Sequence, residues 1–123
     1  MFRSSSSKLS FGFFTFAALV LLLLSACEEK PFDLGRPLTD SEQRGQRLYT
    51  QTCRNCHFAD STRPLSGPSL AGVFRKPFLP SGRPANNDIM KQTIYAGRNN
   101  MPNYKGVFTD GQMNDLLAYL HTL

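Results

Sequence analysis

Between Ala59 and Ala85 the chain carries Pro64, Gly67, Pro68, Gly72, Pro77, Pro80, Gly82 and Pro84. Proline fixes φ and removes a backbone donor, and glycine interrupts regular structure, so no long helix or alternating strand can run through this stretch. Irregular backbone of that length is out of place in a compact domain unless something is wrapped by it. The regular elements must lie on either side, and a bound group is expected to fill the space the loop encloses.

The flanking segments read as helices. Thr39-Asp40-Ser41-Glu42 is a capping box, and Gly45, Leu48, Tyr49 and Thr52 follow on one helical face, with an end expected near Cys53. Asn86 or Asn87 can cap a short helix over Asp88 to Ala96, with Gly97 after its end. Thr109-Asp110-Gly111-Gln112 is a second capping box, and Met113, Leu116, Leu117 and Leu120 recur at helical spacing beyond it. The expectation is an all-α domain of three main helices joined by long loops.

The N-terminal part reads differently. Arg3 and Lys8 precede an uncharged run from Phe11 to Leu24, shorter than the ~20 residues of a spanning helix and suited to a signal peptide. Leu24-Ser25-Ala26-Cys27 resembles the lipobox of bacterial lipoproteins, in which the cysteine is lipidated and becomes the new N-terminus. The competing reading is an uncleaved signal anchor with Cys27 as a spare thiol. The organisation expected is therefore a removed signal peptide over 1–26, a lipid-anchored tether over 27–38 rich in Pro and Gly, and a folded domain over 39–123. Formal charge falls with the leader. The whole chain has 14 Lys+Arg against 9 Asp+Glu, a net +5, and loss of Arg3 and Lys8 reduces this to +3. With no basic run, nucleic acid is not an expected partner.

Chemistry concentrates in Cys53-Arg54-Asn55-Cys56-His57. On a helical turn, residues i, i+3 and i+4 share a face. Two thiols three apart can add to two vinyl groups of one porphyrin, and the adjacent histidine then lies beneath the iron, the c-type haem attachment pattern. Structural zinc needs four ligands, and only Cys53, Cys56, His57 and His121 are available donors. A thioredoxin-like pair would want a βαβ setting, which is absent. A plain Cys53–Cys56 disulfide in an export compartment is the remaining alternative.

From about Asp40 to Leu123 the sequence resembles the class I cytochrome c family. Gly67-Pro68-Ser69-Leu70 is similar to that family's loop after the haem site. The resemblance implies that the Pro68 carbonyl accepts from the proximal His57 ring and that Leu70 packs on the haem. It also implies that Gly45 and Tyr49 in the first helix meet Leu116 and Tyr119 in the last. A methionine in the C-terminal half is implied as sixth ligand. Met101, before Pro102 and after Gly97-Arg98-Asn99-Asn100, fits that role, whereas Met90 and Met113 lie on core-facing helical positions. Arg75 or Lys76 could pair a haem propionate, and Tyr95 and Tyr104 could line the pocket. The family's propionate-bonding Trp has no counterpart here. His121 is expected as a solvated helix-end residue.

These readings define a one-electron carrier rather than an enzyme. It would hold one covalent haem c through Cys53 and Cys56, with iron between His57 and Met101. It would be exported, monomeric, anchored at Cys27 to the outer side of a bacterial membrane, and served by a redox donor and acceptor that the sequence does not identify. Glu28 after the lipidated cysteine leans toward an outer membrane where one exists. Two alternatives stay open: an open-site haem protein that binds gas or reduces peroxide if Met101 is not a ligand, and a non-haem lipoprotein module.

Overall fold

The computed structural model describes residues 35–123, all within one unit, Phe32–Leu123. The expected signal peptide, Cys27 and the first part of the expected tether lie outside the described residues. Three α-helices follow in order: α1 over Asp40–Thr52, α2 over Asn87–Ala96 and α3 over Asp110–Leu120. A short 3-10 turn, Val73–Arg75, interrupts the long loop between α1 and α2. Among the described residues there is no strand, only isolated bridges pairing Phe78 with Pro84 and Arg98 with Met101. No described helix is long and apolar enough to cross a membrane.

The caps fall where side-chain chemistry places them. Thr39 caps α1 and Thr109 caps α3, each in a reciprocal box with the residue three positions on, Glu42 and Gln112. Asn86 caps α2 through its side chain to the Ile89 N–H, and Gly97 closes that helix. The α1 box carries an addition that helix patterning does not announce. Arg36 grips both oxygens of Glu42 at 2.8 and 2.6 Å, so the chain entering the domain is tied to its first turn. That guanidinium, followed by the Thr39 backbone N–H, holds the Glu42 carboxyl down at about 2.

Helices α1 and α3 form the main packing contact. A β-carbon at Gly45 would overlap the Asp115 carbonyl oxygen and sit 2.7 Å from Tyr119 Cβ. Only glycine allows so close a crossing. Tyr49 and Tyr119 meet one turn on, ring centroids 5.4 Å apart and tilted by 44°. The rim is polar: Arg44 donates twice to the Asp115 carboxylate, at 2.7 and 2.9 Å, and Ser41 Oγ donates at 2.6 Å. Arg44 first, and Ser41 next, bring Asp115 down to about 2.

The core beneath this crossing contains Met113 and Leu116, both wholly buried, with Leu117, Leu120, Ile94 and Met90. The breaker-rich loop is ordered by its own pairing. Leu79 accepts from the Gly82 N–H and donates to the Arg83 carbonyl, which drops the Leu79 side chain into the core while Phe78 stays exposed. Val73 enters the core from the 3-10 turn. The loop therefore supplies core residues without regular structure, and α1–α3 docking supplies the frame.

Candidate functional site

The end of α1 shapes the Cys-x-x-Cys-His turn. The Tyr49 carbonyl accepts from the N–H groups of Cys53 and Arg54 at 2.8 and 3.0 Å. The Cys53 carbonyl then accepts from Cys56 and His57 at 3.0 and 2.9 Å. One further turn is thus wound past the helix, and it sets the two thiols on neighbouring positions with His57 following. Both cysteines are free thiols, so the disulfide alternative finds no support here. Cys53 is half-buried and Cys56 exposed. Burial pushes the Cys53 thiol up to about 11, with the Cys56 sulfur contributing after it.

The long loop returns to this turn at three points. The Gly67 N–H donates to the Cys56 carbonyl at 2.8 Å, and the Leu70 N–H to the Phe58 carbonyl at 2.8 Å. The Pro68 carbonyl lies 2.7 Å from His57 Nδ1. A carbonyl can only accept, so the proton of the neutral ring sits on Nδ1 and the lone pair on Nε2. No described hydrogen bond engages Nε2. A proton donor on one ring nitrogen bonded to a carbonyl fixes the tautomer and raises the basicity of the other, the arrangement typical of a metal-bound histidine.

Two contacts here are not legible in the motif itself. A β-carbon on Gly67 would overlap His57 Cε1 and lie 2.8 Å from Nδ1, so the loop is pressed against the imidazole. The Tyr49 hydroxyl donates to the His57 main-chain carbonyl at 2.5 Å. Burial, then the neighbouring Tyr119, pushes that hydroxyl up to about 12, and it remains a donor across the physiological range.

Met101 closes a tight turn. Arg98 and Met101 exchange backbone hydrogen bonds at 3.2 and 2.9 Å, and Asn99 adopts φ 53 between them. Asparagine tolerates this left-handed conformation better than most residues. Met101 and Leu70 are half-buried against the core, whereas Met90 and Met113 are core residues as their spacing implied. Tyr104 lies close to the cysteine pair: its hydroxyl is raised by burial and then by the thiols of Cys53 and Cys56.

Three further side chains have partners that the sequence did not announce. Tyr95 lines an open surface cleft with Arg83, Gln92, Ala96, Asn103 and Lys105, and Lys91 Nζ stands 5.6 Å over its ring. The Arg75 guanidinium is occupied by the Leu123 main-chain oxygen, which fastens the 3-10 turn to the end of α3. His121 is exposed but not simply solvated. Its ring stacks on Phe74 at 3.9 Å and its Nε2 contacts Asn87 Oδ1 at 2.7 Å. Among the described residues no three His, Cys, Asp or Glu side chains gather as a metal site, so the zinc donors considered above are not assembled.

The residues fit a covalently held haem. Two unpaired thiols share one turn, the adjacent imidazole presents a lone pair, and a loop with apolar members closes on both. The fold and site define a small all-α domain for a c-type haem, and comparison with known proteins agrees. Residues 40–120 match the family model described as cytochrome c oxidase, cbb3-type, subunit III. The chain is also 33% identical over 119 residues to cytochrome c-551 of Bacillus subtilis (strain 168), covering 93% of this chain and 95% of that protein. The chain belongs to the monohaem class I cytochrome c family. Its cofactor is one covalently bound haem c, and its function is electron carriage. When bound, the haem supplies an iron that gains or loses a single electron.

Proposed function

We propose that the protein is a lipid-anchored one-electron carrier whose iron is held between His57 and Met101, on the extracytoplasmic side of a bacterial membrane. The observation that carries the axial assignment is the Pro68–His57 contact at 2.7 Å, which commits Nδ1 and leaves Nε2 as the ligating atom. A second fixed ligand would close the remaining axial position and keep substrate from the iron, which suits a carrier and not a catalyst. Met101 fits that position because the Arg98–Met101 turn and Pro102 hold its backbone.

The anchor reading rests on Leu24-Ser25-Ala26-Cys27 after the apolar run. Lipidation at Cys27 would hold the domain near membrane-bound donor and acceptor and raise their effective concentration. The net +3 of the processed apoprotein gives only weak long-range steering.

The test is an absorption spectrum of detergent-extracted protein, oxidised and reduced, with the N-terminus of the same preparation read by mass spectrometry. The carrier reading expects the far-red band of a methionine–ferric bond, its loss in Met101→Ala, and an N-terminus at lipidated Cys27. A haem spectrum without that band, with rapid stoichiometric carbon monoxide binding, would replace it with the open-site reading. An unlipidated N-terminus would remove the anchor alone.

A further inference from the structure

The iron-binding turn has a second support besides the Pro68 carbonyl, and it comes from the helix interface. Tyr49 touches both ends of the Cys53–His57 segment. Its carbonyl accepts from the Cys53 and Arg54 N–H groups at the start. Its hydroxyl donates to the His57 carbonyl at the finish, at 2.5 Å. The ring between these two groups is buried and packs on Tyr119 of α3. A single side chain therefore spans from the α1–α3 crossing to the main chain of the proximal histidine.

We propose that Tyr49 is a positioning residue for the haem iron, acting through its hydroxyl on the His57 carbonyl. The imidazole has one soft degree of freedom once Nδ1 is bonded to Pro68, a swing about that contact driven by the backbone of residue 57. The Tyr49 hydroxyl holds that backbone. Phenylalanine at this position would keep the ring, its burial and the Tyr119 contact, and would lose only the donor. The inference rests on His57 being the iron ligand, which the hyperfine-shifted imidazole resonances of the unaltered protein report separately.

The experiment uses the haem-loaded protein. Electron paramagnetic resonance of the ferric state reports the orientation of the axial imidazole, and potentiometry reports the balance between oxidation states. Tyr49→Phe is expected to shift and broaden the largest g value and to move the reduction potential. Tyr119→Phe alters the same ring pair but not the hydrogen bond to His57, and is expected to leave both unmoved. Spectrum and potential of Tyr49→Phe superimposing on the unaltered protein would overturn the proposal. So would an equal change in Tyr119→Phe, which would assign the effect to the helix crossing. If Tyr49→Phe does not mature, the ferrous unaltered protein decides by proton NMR. A slowly exchanging Tyr49 hydroxyl proton with cross-relaxation to His57 supports the assignment, and its absence overturns it.

Discussion

At the scale of single residues, the site is held by contacts shorter than a side chain. Gly67 is the sharpest case, because a methyl group there would occupy the space of the His57 ring. Gly67→Ala should cost ~1–3 kcal/mol of stability, the usual range for overpacking. It should also raise the reduction potential. The displaced ring loses its Nδ1 donation to Pro68, becomes a weaker base at Nε2 and stabilises ferric iron less. Denaturant titration and potentiometry measure the two effects, and an unchanged potential would show that the hydrogen bond survives. The chemistry at this scale was partly legible. Cys53, Cys56 and His57 declare themselves by spacing, since three residues in one turn need no knowledge of the fold. The Pro68 partnership came from resemblance and is present. The Tyr49 hydroxyl was not legible, because it reaches a main-chain carbonyl eight residues away and helical periodicity explains the ring without it. The partners of Arg75 and Tyr95 were not legible either, because a charge and a phenol in sequence carry no information about where their chains turn.

At the scale of elements, caps and faces decided the helices, and the close approach of two of them decides the domain. Thr39, Asn86 and Thr109 cap as their chemistry requires, which is why all three helices begin within a residue of expectation. The crossing of α1 on α3 yields a contrast between two glycines. Gly45→Ala must force Asp115 and Tyr119 away, at ~1–3 kcal/mol or more. Gly111→Ala, in the first turn of α3, meets only Thr109 Oγ1 at 3.9 Å. It should stabilise by up to about 1 kcal/mol through helix propensity. Chemical denaturation of both variants checks the opposite signs. The loop from Ala59 to Ala85 was legible only as irregular. Its internal pairing at Leu79, Gly82 and Arg83 depends on which residue drops into the core, and breakers alone do not say that.

For the molecule as a whole, two depressed carboxylates contribute to stability against acid. Glu42 and Asp115 each have a folded value of about 2, against ordinary values of 4.5 and 3.8. A depressed carboxylate stabilises the fold at pH above its unfolded value and loses that contribution as pH falls toward the folded one. The melting temperature should therefore begin to fall below pH ~4.5 and decline steeply toward pH ~2, with Arg36→Ala and Arg44→Ala each flattening the decline. Calorimetry across that range tests it. Both pairs are partly exposed, so salt should weaken the effect.

The α1–α3 crossing also orders events in time. Helix α1 and the cysteine turn are synthesised before α3, and the crossing joins segments separated by almost sixty residues of intervening chain. Closing a loop of that size carries an entropic charge that neither helix can meet until the other arrives. Until Leu116 and Tyr119 emerge, Tyr49 has no ring to rest against, Gly45 no neighbour, and the Cys-x-x-Cys-His turn only half of its buttress. Synthesis from the N-terminus thus opens a kinetic interval in which the thiols stand clear of the core that later confines Cys53. The last helix to appear is the one that shuts it.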